Sequence, residues 1–194
     1  ATFGLQSALN LVETGTARAV LMVNPEICTA HLNFRDRDSH FIFGDACTAV
    51  IVERQDTVSS DESFEVISAK LSTTFSNNIR NNFGFLNRCA PGSEHKADKL
   101  FVQQGRKVFK EVSPMVARMI SEHLATNNIE CANLSRMWLH QANLSMNQLI
   151  AKRVLGREAT ALEAPVILDE YANTSSAGSI IAFHKYRADL AAGD

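Results

Sequence analysis

No apolar run in this sequence reaches the ~18–20 residues that a membrane-spanning helix needs. Residues 1–10 have no basic stretch ahead of an apolar one, so they do not read as a cleavable secretory leader. Neither sign of charge is in excess. The chain has 19 Lys and Arg against 21 Asp and Glu, a formal net charge of -2, and so no bulk electrostatic reason to bind nucleic acid. The four cysteines, Cys28, Cys47, Cys89 and Cys131, are widely scattered. No CxxC pair or His-rich spacing suggests zinc, and reduced thiols in a cytoplasmic protein are the expectation. Internal repeats and low-complexity tracts are also lacking.

What is present is a chain of 194 residues, 45% hydrophobic, enough for a substantial core in one large domain or part of a larger one. Ala1 opens directly into a helical pattern without Met, and the chain closes on Ala-Ala-Gly-Asp. Both ends suggest a piece of a longer protein.

Residues 1–13 carry Phe3, Leu5, Ala8, Leu9, Leu11 and Val12, mostly at helical spacing, with Gly15 as the stop. The helix is so apolar around its circumference that residues 1–11 are expected to be buried between layers. Residues 19–23 read as a strand buried on both faces, and helix followed by buried strand points to a layered α/β architecture. Residues 33–40 form a charged loop. Residues 41–43 and 47–52 are strand-like, interrupted by Gly44-Asp45, which fits a hairpin or a kinked strand. Gly44 suits a close backbone approach or a positive φ. Cys47, among alternating apolar neighbours, reads as a buried strand thiol.

A further strand is expected over 64–71, and 73–98 reads as a long loop. Val108, Val112, Met115, Val116, Met119, Ile120 and Leu124 mark a helix within 102–124, with a kink or break at Pro114. Residues 137–139 and 165–168 read as short strands. A helix over 145–155 closes at Gly156, and a last helix is expected over 174–190.

His140 follows the first of these short strands. Asn173 follows the second and precedes a stretch of small residues. In α/β folds, side chains at the carboxyl ends of strands face the ligand crevice. A His and an Asn there can donate two hydrogen bonds to one developing oxyanion. By themselves they also fit an ordinary polar residue at a strand end and a helix N-cap.

Four segments, in order, carry a resemblance. His140-Gln141-Ala142-Asn143 looks like the His-Gln-Ala-Asn motif of the 3-oxoacyl-[acyl-carrier-protein] synthase III family. Asn173-Thr174-Ser175-Ser176-Ala177 resembles its Gly-Asn-Thr-Ser-Ala motif. Phe43-Gly44-Asp45-Ala46 resembles its Phe-Gly-Asp-Gly turn, and the segment from Gly105 to Lys110 resembles its Gly-(Arg/Asn)-Glu-Val-Phe-Lys helix start. The resemblance implies part of a thiolase-like layered αβαβα fold with mixed sheets and helices on both faces. Residues 1–70 would end the N-terminal half, 71–98 would be a connecting excursion, and 99–194 would form the C-terminal half.

The implied activity is a decarboxylative Claisen condensation of an acyl-coenzyme A with malonyl-acyl carrier protein, giving a 3-oxoacyl product. His140 and Asn173 would hold the enolate oxygen. The nucleophilic cysteine would fall just before Ala1. Arg37, Asn143 and Phe109 would bind substrate, and Lys110, Lys152 and Arg153 would dock the carrier protein. The resemblance implies a homodimer and no metal or other cofactor beyond the thioester substrates.

Ser145 stands where many members carry Arg, Ala172 replaces the Gly before the Asn, and Ala46 replaces the second Gly of the turn. These departures suggest a relative that takes longer acyl groups or serves a secondary pathway. A polyketide-synthase-like enzyme shares Cys, His and Asn. A non-catalytic thiolase-fold partner subunit is the alternative of another class. A second cysteine or a second histidine at the place of Asn173 would mark degradative thiolases or elongating synthases instead.

Overall fold

Leu5, Ala8, Leu9 and Val12 recur at three- and four-residue steps, and they form the inner face of helix α1, Thr2–Glu13. The structure, a computed structural model, describes residues 1–58, 60–81, 92 and 99–194. Gly15 takes a left-handed φ of +72° just past the end of α1 and donates its N–H to the Val12 carbonyl. Strand β1, Ala19–Ile27, pairs antiparallel with β2, Asp45–Glu53, with Ala19 opposite Glu53 and Ile27 opposite Asp45. Alternation puts Val20, Met22, Asn24 and Glu26 on the half-buried face, and Val20 packs with Val50 and Val52 under α1.

Burial here differs from the sequence expectation. Residues 19–23 are not covered on both faces: Leu21, Val23, Ile27 and Ile51 on the outer face are exposed. Helix α1 buries only Ala8 and Val12, while Phe3 and Leu11 are exposed. Cys47 lies on the outer side of β2 and is exposed rather than buried. The reason is common to all three. Apolarity makes burial favourable, but a second layer must be present to supply it. Among the described residues, the core cluster here joins one face of α1 to one face of the β1–β2 sheet.

Residues 41–43 form no strand of their own. Phe43 instead makes an isolated parallel bridge with Asn173. Residues 64–71 are irregular, held by side chains rather than a ladder. Phe64 meets Phe183 edge-on at 4.9 Å, and the Ser68 hydroxyl donates to Asn127 Oδ1 at 2.9 Å. Of the expected 71–98 excursion, the described residues include the two-residue strand β3, Ile79–Arg80, paired antiparallel with β4, Val102–Gln103. Residues 82–91, including Cys89, and 93–98 lie outside the described residues.

Helix α2, Gly105–Thr126, runs unbroken through Pro114. An interior proline costs a helix ~3 kcal/mol. Val108, Val112, Val116, Ile120 and Leu124 all pack into one cluster with helix α3, Leu144–Leu155, and this packing outweighs the penalty. The Ser113 hydroxyl donates to the Phe109 carbonyl at 2.7 Å, next to the Lys110 carbonyl that Pro114 has no N–H to serve. Gly156 closes α3 at φ +72°.

Residues 137–139 and 165–167 form no strands and Leu168 already begins a helix; one side chain joins the two segments in place of a ladder. Gln141, fully buried, donates Nε2 to the carbonyls of Leu139 at 3.0 Å and Pro165 at 3.2 Å, and its Oε1 accepts from Ile167 N–H at 3.2 Å. The Met137 N–H adds a bond to the Glu163 carbonyl. Two short helices follow, α4 at Leu168–Tyr171 and α5 at Gly178–Tyr186. Helix α5 begins later than expected because Ser175, at φ +50°, turns the chain ahead of it.

Candidate active site

Asn173 is fixed first by its backbone. Its N–H donates to the Ile42 carbonyl at 3.0 Å, and its carbonyl accepts from Gly44 N–H at 3.1 Å. Its Oδ1 accepts from Ser175 N–H at 2.9 Å. That bond sets the amide's orientation and leaves the Nδ2 hydrogens as the group to donate elsewhere. The close approach requires glycine at 44: a Cβ there would lie 2.2 Å from the Tyr171 carbonyl oxygen. Of the two uses the sequence left open for Gly44, close approach is the one realised, since its φ is not positive.

Ala172, just before Asn173, has φ +55° and ψ -154°. This region is essentially open only to glycine, and a non-glycine residue there carries roughly 1–3 kcal/mol of strain. Ala172→Gly should therefore stabilise the fold. Relief of strain exceeds the roughly 0.4–1 kcal/mol of extra unfolded-state entropy, leaving a gain of about 1 kcal/mol. For a chain of this size that is a rise of about 2–4 °C in Tm, readable by calorimetry. A fall in Tm would contradict it.

His140 and Asn173 line one cavity of about 580 Å³, together with Asn143, Phe109, Glu26 and Ser175. The apolar part of the wall includes Phe43 and Phe101, packed edge to face at 4.7 Å, and Val108, Val112 and Met146. His140 is exposed, and surface it exposes lines this cavity. Protein packed around the imidazole lowers its pKa below the ordinary value by desolvation. A hydrogen bond to the Ser175 backbone and the charge of Glu26 oppose this. The ring is thus neutral at pH 7, the form that carries one N–H donor and no charge to repel cations.

The other expected site residues are placed as follows. Asn143 is the N-cap of α3, its Oδ1 accepting from Met146 N–H at 2.8 Å, and it also lines the cavity. Arg37 is exposed on the 33–40 loop, outside the cavity lining. Lys110 borders a small surface hollow with Gly105, Arg106 and Phe109. Lys152 is ion-paired with Glu158, and Arg153 is exposed beside it.

The structure adds residues that the sequence reading passed over. Glu26 and Cys28 both line the cavity. A signal for Glu26 was available: Asn24 and Glu26 keep the same alternation as Val20 and Met22, so polar groups fall on the inward face of β1. The Cys28 thiol is pushed up to about 11, by desolvation first and then by the charges of Glu26 and Asp45. At neutral pH it is protonated and a poor nucleophile. Asp45 accepts from the Thr29 N–H and hydroxyl at 2.8 and 2.6 Å, which lowers its own pKa and ties the turn at Cys28–His31 to β2. The described thiols Cys28, Cys47 and Cys131 are free.

Residues 1–74 match the family model of 3-oxoacyl-[acyl-carrier-protein (ACP)] synthase III, and residues 124–194 match that of its C-terminal part. The chain belongs to the 3-oxoacyl-[acyl-carrier-protein] synthase III family. It is 67% identical over 193 residues to a beta-ketodecanoyl-[acyl-carrier-protein] synthase of Pseudomonas aeruginosa, covering 100% of this chain and 55% of that protein. A beta-ketoacyl-[acyl-carrier-protein] synthase III of Alkalilimnicola ehrlichii is 30% identical over 179 residues, covering 90% and 51%. The chain spans about half the length of the curated relatives it matches.

A crystal structure of a 3-oxoacyl-(acyl-carrier-protein) synthase III superposes with a TM-score of 0.80 at 24% identity, over 98% of this chain and 58% of that one. The priming beta-ketosynthase of the R1128 polyketide pathway superposes at 0.77 with 24% identity, over 95% and 53%. These likenesses give the fold, the thiolase-type α/β arrangement expected from the motifs. The resemblance drawn from the four motifs is thereby borne out.

Proposed function

We propose that the full-length protein catalyses a decarboxylative Claisen condensation, joining an acyl-coenzyme A to malonyl-acyl carrier protein. The observation that carries this is the meeting of His140 and Asn173, 33 residues apart in sequence, on one cavity whose wall is largely apolar. A thiolate just ahead of α1 would take the acyl group from its thioester. Ala1, at the start of α1, lies near both Glu26 and His140, so this end of the helix stands beside the same cavity. A malonyl thioester would then lose carbon dioxide while the neutral imidazole N–H and the Asn173 amide hold the enolate oxygen. The carbanion attacks the acyl-enzyme, expels the thiolate and leaves a 3-oxoacyl product.

A longer acyl primer is favoured over acetyl. The 67% identical relative is named for a decanoyl-length product, and malonyl contributes two of its carbons after decarboxylation, so the primer is two carbons shorter. Substrate contacts are assigned to Phe109 and Asn143 at the cavity and to Arg37 at the loop. Lys110, Lys152 and Arg153 are assigned to the acidic carrier protein. The intact protein is proposed to be a homodimer, because the outer face of β1 and β2 is apolar and exposed.

The deciding experiment incubates full-length protein with malonyl-acyl carrier protein and a series of acyl-coenzyme A primers. Carbon dioxide release and a 3-oxoacyl-carrier product, greatest with a medium-length primer, are expected. No product with any primer would favour a non-catalytic partner subunit.

The lowered pKa of His140 has a consequence for pH dependence. Decarboxylation requires the neutral ring, so it is retained as pH falls through the ordinary histidine value near ~6.5 and is lost only below it. An acid limb centred above that value in the pH profile of decarboxylation would contradict the assignment.

A further inference from the structure

Strand β1 delivers a carboxylate to the wall of the site. Glu26 lies on the half-buried face of the strand and lines the cavity. Its Oε1 accepts two hydrogen bonds from Ser176, one from the backbone N–H at 3.2 Å and one from the hydroxyl. The same hydroxyl lies 3.4 Å from Asn24 Oδ1, on the same face of the strand. The other carboxylate oxygen, Oε2, accepts from the Cys28 thiol at 3.9 Å. Ser176 belongs to the turn that starts at Asn173. In that turn Ser175, at φ +50°, gives its N–H to Asn173 Oδ1, and its backbone accepts a hydrogen bond from the imidazole of His140.

We infer that Glu26 is a positioning residue for both oxyanion donors: it anchors the Asn173–Ser176 turn to strand β1 beside His140. The inference rests on the reading of His140 and Asn173 given above. The mechanics follow from the order of contacts. Asn173 is pinned on its N-terminal side by the bridge to Ile42 and Gly44. Glu26 supplies the pin on the C-terminal side, three residues on. With both in place the Ser175 N–H is held against Oδ1, and the amide cannot rotate to present its oxygen to an oxyanion. A site loosened by about 1 Å loses roughly 10²-fold in rate.

The field at His140 comes from a small set of groups. Glu26 from β1 favours the protonated ring. Cys28 and His31 line the same cavity from the turn after β1. Asp45 from β2 is engaged with Thr29. Removing the Glu26 charge takes away the nearby anion that helps the imidazole hold a proton, so the ring stays neutral to lower pH.

The test uses full-length protein carrying Glu26→Gln, Glu26→Ala or His140→Ala. It reads malonyl decarboxylation against pH, acyl transfer to the enzyme thiol, and the imidazole titration by NMR. Glu26→Gln keeps an oxygen acceptor for Ser176 and removes the charge. It should move the His140 titration and the acid limb of decarboxylation to lower pH together, with a modest loss at the optimum. Glu26→Ala removes both hydrogen bonds as well and should cut decarboxylation by about 10- to 10²-fold, with acyl transfer less affected.

A purely structural role would lower the rate without moving the limb, and that result overturns the inference. If Glu26→Ala fails to fold, the limb shift in Glu26→Gln still decides. If His140→Ala leaves decarboxylation intact, the underlying reading fails. If His140→Ala abolishes it while both Glu26 variants match wild type, only the role of Glu26 falls.

Discussion

Replacing His140 or Asn173 by Ala in the full-length protein is expected to lower malonyl decarboxylation by about 10²-fold or more, the usual loss for one preorganised oxyanion donor. The size follows from the surroundings. The imidazole is desolvated enough for its pKa to fall, so a hydrogen bond to developing negative charge is worth more there than in water. Asn173 is held by two backbone hydrogen bonds and its side-chain amide by a third, to Oδ1, so the amide needs no reorganisation as charge develops.

Acyl transfer to the cysteine proposed ahead of α1 should suffer less, because a thiolate at a helix N-terminus is prepared chiefly by the helix. The two half-reactions are measured separately, by carbon dioxide release and by mass of the acyl-enzyme. Equal loss of both would mean that His140 activates the thiol or that the substitution collapses the site, and circular dichroism separates those two outcomes.

Gly44→Ala should be the most damaging single substitution outside the reacting groups. Its Cβ would sit 2.2 Å from the Tyr171 carbonyl oxygen and 3.3 Å from that carbonyl carbon, and both are backbone atoms with no rotamer to yield. Overpacking of this kind costs roughly 1–3 kcal/mol, sometimes more. Pushing the segments apart also breaks the two hydrogen bonds between Asn173 and residues 42 and 44, each worth about 1 kcal/mol.

The expected destabilisation is about 3–5 kcal/mol by denaturant unfolding, with decarboxylation reduced at least as much as in Asn173→Ala. Ala172→Gly in the same molecule should not rescue it, because the clash is with Tyr171 and the Ala172 Cβ is 3.6 Å away. Wild-type stability in Gly44→Ala would show that the parallel bridge at Phe43 and Asn173 does not hold the site.

Much of the local structure was legible in the residues. Helices α1, α2 and α3 are close to where their apolar spacing put them, and Gly15 and Gly156 stop two of them. The family was legible too, because His140-Gln141-Ala142-Asn143, the segment at Asn173, the turn at Gly44 and the start of α2 are all local wording. These features depend on residues a few positions apart, where helix period and capping chemistry operate without help from the rest of the chain.

What the sequence did not decide depends on partners distant along the chain. Residues 137–139 and 165–167 have the composition of strands, but a strand exists only beside another, and here Gln141 joins the two segments with its side chain. The exposure of Cys47, Leu21 and Phe3 likewise turned on whether a second layer lay against them. The part played by Glu26 came only from folding, because Ser176 is 150 residues away and nothing local to either residue announces the other. By itself the sequence determined the helices, the motifs and the family. Tertiary structure alone decided which faces are covered, which of Gly44's two freedoms is used, and which side chains meet at His140 and Asn173, because burial and hydrogen bonding across the sheet are properties of pairs that spacing along the chain does not encode.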